Sequence, residues 1–219
     1  MRTMPNQRHL PALDLYLVLD PVLAERSGGL VKTALEAVAG GASVVQLRAP
    51  GMKKRAFVEV ARALVLALAP SGVPLIIDDH ADVMLASGAQ GLHIGQEDLS
   101  VADARRLIGP EAILGLSAGS VEELASAPAE LVDYYGVGPV FATRSKADAG
   151  EAIGLEGLSR VLDAAVRPCV AIGGIDAGVA AGVARTGAAG VAVISAVCGR
   201  PDVRGAASAL LAAFRSDRR

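Results

Sequence analysis

"SGAQGLHIGQED", residues 87–98, passes through three kinds of sequence in one short stretch. SGAQG supplies the glycine that ends a helix in the left-handed region. GLHI (91–94) is an apolar run of strand length, and GQED turns polar at once. The same passage from helix to strand recurs at "GGAS" (40–43), leading into SVVQL (43–47), and at "TGAAG" (186–190), leading into GVAVI (190–194). Working outward, five further β-rich runs appear: LYLVL (15–19), PLII (74–77), AILGL (112–116), VDYYGV (132–137) and CVAI (169–172). Ala- and Leu-rich stretches of helical period fall between them, which predicts helices over 29–39, 55–68, 101–107, 121–125, 158–165 and 177–185, with 204–214 closing the chain.

Strands alternating with helices imply parallel strands joined by right-handed crossovers. Eight such units in 219 residues match an α/β protein made of a single-domain (β/α)8 TIM barrel, with a doubly wound open sheet as the alternative. The barrel is expected over 13–215, behind a disordered N-terminal extension over 1–12, with no linker or second domain.

Composition narrows the function. Hydrophobic residues make up 52% of the chain and aromatic residues 3%, which suits tightly packed α/β layers and argues against a surface on which nucleic-acid bases stack. The formal net charge of −2 gives no electrostatic pull toward nucleic acid or an anionic membrane. No apolar run approaches the length of a membrane span, so a cytoplasmic protein is expected, and homo-oligomerisation is left open. Cys169 and Cys198 lack metal-type spacing and are expected to be buried free thiols.

In a barrel of this kind the chemistry sits at the carboxyl ends of the strands. Strand 2 ends in QLR, with Gln46 and Arg48; strand 3 in DDH, with Asp78, Asp79 and His80; strand 4 runs into HIGQED, with Asp98; and strand 5 ends in Ser117. Strand 6 opens into "GVGPVFATRSKADAG" (136–150), dense in hydroxyls, glycine amides and cations, all of them donors for an anion. Gly173 and Gly174 after strand 7 and Ser195 after strand 8 suit the phosphate site that barrels build from these two loops. Asp79 and Asp98 end neighbouring strands, and two hard carboxylates open to solvent suit Mg²⁺. The competing reading makes Asp98 the cap of the following helix. His93 is either a hydrogen-bonded residue of the barrel interior or a direct ligand. The four lysines, Lys32, Lys53, Lys54 and Lys146, all lie outside the strands, which disfavours Schiff-base chemistry. There is no nucleophile elbow and no Walker A pattern.

These elements resemble one family, thiamine phosphate synthase. The matching stretches are QLR, the DD after strand 3, GLHIGQEDL, GLSAGS, GVGPVFATRSK, AIGGI and VISAV, in order over nearly the whole chain. The resemblance implies a transferase that joins 4-amino-5-hydroxymethyl-2-methylpyrimidine diphosphate to a thiazole phosphate and expels pyrophosphate. It implies Mg²⁺ held by Asp79 and Asp98, and pyrophosphate oxygens bound by Arg48 and Lys146. Gln46 and Ser117 would contact the pyrimidine, and Thr143, Ser145, Gly174, Ile194 and Ser195 the thiazole phosphate. Ser117, Lys146 and Arg48 would be the catalytic side chains.

Two positions depart from the family's usual pattern, Asp78 standing for Asn and Pro50 for a second cation. Both make the diphosphate region more negative, and one unit charge at about 5 Å and an effective dielectric near 20 is worth roughly 3 kcal/mol before screening. Asp78 would then join the metal shell or carry a proton, and Lys53 or Lys54 would reach in. The alternatives on the same scaffold are a thiazole tautomerase-like paralogue, which uses a His after strand 5 where this chain has Gly119, and a non-catalytic thiazole phosphate sensor.

Overall fold

The strands close on themselves. In the computed structural model, which describes residues 10–143, 145 and 150–218, eight parallel strands form one barrel in sequence order. They are β1 (Leu15–Leu19), β2 (Val44–Leu47), β3 (Leu75–Asp78), β4 (Gly91–Ile94), β5 (Ile113–Ser117), β6 (Tyr134–Val137), β7 (Cys169–Ile172) and β8 (Gly190–Val193), with β8 paired back onto β1. The helices between and after them are α1 (Pro21–Glu25), α2 (Leu30–Ala39), α3 (Lys54–Leu68), α4 (Ala81–Ser87), α5 (Val101–Ile108), α6 (Val121–Ser126), α7 (Gly154–Ala164), α8 (Ala180–Arg185) and α9 (Val203–Ser216).

The strands are apolar on both faces because both are covered. Leu15, Leu17 and Leu19 of β1 point out into the layer beneath the helices, while Tyr16 and Val18 point in with Val44, Ile76, Tyr134, Val170 and Ala192. Each helix supplies the matching stripe. On α3, Phe57, Ala61, Leu64 and Leu68 recur at helical spacing and are buried. Side-chain caps start several helices: Asp20 accepts from the Leu23 amide at 2.9 Å, Ser100 from Asp103 at 3.1 Å and Asp202 from Gly205 at 2.8 Å. Each such cap is worth about 1 kcal/mol.

The amino-terminal end of the barrel is closed by residues just ahead of β1. Leu13 packs into the inner cluster, and its carbonyl runs so close to Gly190 that a Cβ there would sit 1.6 Å from it, so only glycine fits at the start of β8. Asp14 beside it accepts from Arg215 of α9 at 3.0 and 2.5 Å, and from Arg218.

Eight strands and the seven sequence-predicted helices are present, with shifts that have local causes. The predicted helix at 177–185 begins instead at Ala180, because the Asp176 carboxylate accepts from the Gly178 amide at 2.8 Å and holds a turn there. Strands β3 and β5 run one residue further than the apolar pattern predicts, so Asp78 and Ser117 stand in the barrel wall itself. Helices α1 and α4, of five and seven residues, were not predicted. Of the expected N-terminal extension, residues 1–9 lie outside the described residues. Among the described residues no helix is long and apolar enough to cross a membrane.

Candidate active site

A cavity of about 920 Å³ opens at the carboxyl ends of the strands. Gln46, Arg48, Asp78, Asp79, Asp98, Ser117, Thr143, Ser145, Gly174, Ile194 and Ser195 all line it. Lys146 lies outside the described residues.

On one side stand the charged groups of β2, β3 and β4. Arg48 Nε lies 3.3 Å from Asp78 Oδ2, and both side chains are largely buried. Asp79 follows with φ 61°, the one described non-glycine residue with positive φ, its amide donating to the His93 carbonyl at 2.8 Å. That bond lets the chain leave β3 still tied to β4 while the backbone turns. A left-handed Asp costs on the order of 1 kcal/mol, a cost that tends to persist at functional positions. Asp98 accepts from the Gly95 amide at 2.7 Å and so fixes its own loop. The cap of α5 is Ser100, so the capping role considered for Asp98 is not the one it has. Gln96 crosses to β5, its amide donating to the Ser117 carbonyl at 2.6 Å.

The donor chemistry of this side fits a magnesium ion. Asp79 and Asp98 are exposed carboxylates on one cavity wall, and among the described residues no group of three or more His, Cys, Asp or Glu forms a metal cluster. A sparse carboxylate set suits a cation that keeps waters and takes the rest of its shell from substrate oxygens.

The opposite side is built from the loops after β6, β7 and β8. Val140 and Phe141 amides donate to the Ile172 and Gly173 carbonyls at 2.8 and 3.0 Å, which locks the β6 loop against the β7 loop. Gly173 and Gly174 have φ 101° and 63°, and a Cβ on Gly174 would meet the Ala142 carbonyl at 2.7 Å. Here glycine is required twice over, by conformation and by contact. The Ser145 amide donates to Thr143 Oγ1 at 3.2 Å, and Ser145 Oγ lies 3.4 Å from Ser195 Oγ. Two residues fifty positions apart thus present hydroxyls at one point of the cavity.

The floor between the two sides is polar. His93 Nε2 is 2.9 Å from Ser117 Oγ and its Nδ1 is 3.0 Å from the Tyr134 hydroxyl, so His93 is hydrogen-bonded in the barrel interior and also lines the cavity. Tyr134 continues to Tyr16 at 2.7 Å, and Gln46 Nε2 donates to Tyr16 at 3.0 Å. Burial pushes both phenols well above their ordinary range, reinforced at Tyr16 by Tyr134 and at both by Asp78. Sequence reasoning missed the two tyrosines. The signal was their place in the alternation, since Tyr16 and Tyr134 occupy inward positions where aliphatic residues would serve packing alone. It also missed Arg200, which lines the cavity and donates through Nε to the Ser195 carbonyl at 3.2 Å.

The charge compensation expected from Lys53 or Lys54 is not what the structure has. Neither lines the cavity, and Lys54 is paired with Asp82 of α4 at 2.9 Å. Among the described residues Asp78 pairs with Arg48. Cys169 and Cys198 are buried free thiols, pushed by burial up to about 12 and about 11, and take no part in the site.

Fold and cavity together define a (β/α)8-barrel enzyme that works at the carboxyl ends of its strands. The family model of thiamine monophosphate synthase matches residues 15–197, and the chain belongs to that family. It is 51% identical to the thiamine-phosphate synthase of Azorhizobium caulinodans over 208 residues, covering 94% of this chain and 97% of the relative. The thiamine-phosphate synthase of Xanthobacter autotrophicus is also 51% identical, over 206 residues, with 94% and 97% covered. Among solved structures, a thiamine phosphate pyrophosphorylase from Pyrococcus furiosus superposes with a TM-score of 0.83 at 37% identity, covering 93% of this chain and 96% of that one. These relationships make the protein a transferase of thiamine biosynthesis.

Proposed function

We propose that the protein joins 4-amino-5-hydroxymethyl-2-methylpyrimidine diphosphate to thiazole phosphate by a dissociative route. The observation that supports this most directly is the division of one cavity into a carboxylate-and-arginine wall and a glycine-and-hydroxyl wall, with a neutral polar floor between them.

In this reading the diphosphate lies against Arg48 on the β2–β4 side. Asp79 and Asp98 would hold Mg²⁺ there, whose chemistry is to neutralise charge on the leaving oxygens. Lys146, outside the described residues, would reach the same anion. Thr143, Ser145, Gly174, Ile194 and Ser195 hold the thiazole phosphate on the other side, and Gln46 and Ser117 hold the pyrimidine across the floor. Cleavage of the methylene C–O bond sends its electron pair to the departing diphosphate, and the cation left behind is stabilised by the ring amine. The thiazole nitrogen then donates its lone pair to form the C–N bond. No side-chain nucleophile is needed. Arg48 meets charge that grows as the bond breaks, while the two walls hold both reactants within reach. The loop after β6 would exclude water from the cation.

The experiment is thiamine phosphate formation by the purified protein from the two substrates, with and without Mg²⁺, read as thiochrome fluorescence. Metal-dependent product that is lost in Asp79→Ala supports the assignment. Folded protein that yields no product under either condition overturns it.

A further inference from the structure

The turn after β8 that carries Arg200 is tied to the far end of the sequence by one hydroxyl. Ser27, between α1 and α2, accepts from the Gly199 amide at 2.9 Å and donates to the Arg200 carbonyl at 3.3 Å, although these residues lie 172 and 173 positions away along the chain. A hydroxyl can do both at once, having one proton to give and lone pairs to accept with. Ser27 is itself held in place. Its amide donates to the Ala24 carbonyl at 2.9 Å, the Gly29 amide reaches the same carbonyl at 2.9 Å, and Thr33 of α2 donates to the Gly29 carbonyl at 2.8 Å.

The β8 turn starts at Ile194, whose carbonyl accepts from the Val197 and Cys198 amides at 3.1 and 2.8 Å, and it swings outward at Gly199, φ 78°. Arg200 follows as an exposed residue, so packing does not fix its side chain. Two anchors do: Ser27 on its backbone, and the Ser195 carbonyl on its Nε at 3.2 Å. An arginine held at both points has given up much of its freedom before an anion arrives, and its planar fork meets a phosphate already aimed. Charge gives this side chain weight. Among the described residues the cations lining the cavity are Arg48 and Arg200, one on each wall, and the loops after β6 and β7 add Glu151 and Asp176 to the wall that Arg200 serves.

We propose that Ser27 is a positioning residue for thiazole phosphate: it holds the β8 turn so that Arg200 presents its terminal nitrogens to the phosphate. This rests on the placement of thiazole phosphate at the Ser145 and Ser195 wall. Without the hydroxyl, the Gly199 amide and the Arg200 carbonyl lose their shared partner, and the turn loosens at the residue from which the guanidinium springs. The carboxylates and Arg48 of the β2–β4 side stand on the opposite wall, so the effect is confined to one substrate.

The test is steady-state kinetics of the full chain with Mg²⁺, each substrate varied in turn, on Ser27→Ala, Ser27→Thr, Arg200→Ala and the double variant Ser27→Ala/Arg200→Ala. Ser27→Ala should raise KM for thiazole phosphate about fivefold, the scale of one neutral hydrogen bond, and leave kcat and KM for the pyrimidine diphosphate unchanged. Ser27→Thr, which keeps the hydroxyl, should restore the native KM. Because Ser27 acts through Arg200, adding Ser27→Ala to Arg200→Ala should raise KM no further. Two effects that multiply would mean that Ser27 works by another route, and they overturn the proposal. So does an equal rise in both KM values, which is what a merely structural loosening gives. Ser145→Ala and Ser195→Ala test the placement: if neither raises KM for thiazole phosphate, the phosphate lies elsewhere and the inference falls with it. If either does while Ser27→Ala leaves that KM at the native value, the placement stands and the role of Ser27 alone is refuted.

Discussion

Arg48 Nε stands 3.3 Å from Asp78 Oδ2, so the β2 cation already faces a carboxylate when a diphosphate enters the cavity. A diphosphate must compete with Asp78 for the guanidinium and also approach its negative charge. Asp78→Asn keeps the shape and removes the charge. Against roughly 3 kcal/mol for an unscreened unit charge at about 5 Å, solvent and salt leave a fraction, and about 1.4 kcal/mol is tenfold in affinity. The expected outcome is a KM for the pyrimidine diphosphate about tenfold lower, with KM for thiazole phosphate unchanged. A KM that rises would mean that Asp78 holds substrate or metal directly.

Asp79 holds a left-handed backbone, φ 61°. Glycine adopts that conformation freely, so Asp79→Gly is expected to raise stability by about 0.5–1 kcal/mol while abolishing turnover. Asp79→Asn keeps the strain and should lose activity with no gain in stability. Urea midpoints and turnover measured on the two variants check this, and equal midpoints would sink the strain argument.

Sequence disclosed the barrel because its evidence is repetitive: SVVQL, GLHI and GVAVI each follow a glycine turn and each end in polar residues. The walls of the cavity were legible for the same reason, since Asp79, Asp98, Gly174 and Ser195 follow the apolar runs PLII, GLHI, CVAI and GVAVI. The floor was not. Tyr16 and Tyr134 are 118 positions apart and meet only because β1 and β6 face each other across a closed barrel, a relation that local periodicity does not carry. Nor does a charge count show that Asp78 pairs with Arg48, or that Lys54 turns away to Asp82.

Gly115 and Gly136 both face His93, at different clearances. A Cβ on Gly115 would fall 2.3 Å from the Tyr134 ring, whereas on Gly136 the nearest atom is His93 Cε1 at 3.1 Å. Gly115→Ala therefore drives two buried rings apart and should cost about 1–3 kcal/mol of stability, the usual range for overpacking. Gly136→Ala needs a shift of a few tenths of an ångström and should cost less. Denaturation midpoints that reverse this order would contradict the packing argument.

Arg200 is anchored by its Nε on the Ser195 carbonyl and lines the cavity beside the Ser145 and Ser195 hydroxyls. Its remaining guanidinium donors suit a phosphate at that wall. A charge-assisted hydrogen bond is worth about 1.5–3 kcal/mol, so Arg200→Ala should raise KM for thiazole phosphate by about tenfold or more. Arg200→Lys should recover part of the loss, and KM for the pyrimidine diphosphate should stay where it is. Steady-state kinetics with each substrate varied in turn decides the matter, and equal effects on both would place Arg200 elsewhere in the reaction.

Asp14 joins the two ends of the described chain by accepting from Arg215 and Arg218. Burial alone would push its carboxyl up, but the hydrogen bonds and charges of the two arginines outweigh it and hold Asp14 below its ordinary 3.8. The unfolded chain, with the ordinary value, therefore binds the proton more readily than the folded one. Stability from this contact is fully present above about pH 4 and drains away as pH falls through the lower folded value. Asp14→Asn removes the titration and weakens the contact at every pH. Its stability should be lower than native at pH 7, and the gap should narrow below pH 4, because the native contact is lost there as well. Unfolding free energies of both proteins between pH 2.5 and 7 test this, and a gap that stays constant across that range would show that Asp14 does not carry the acid sensitivity of this contact.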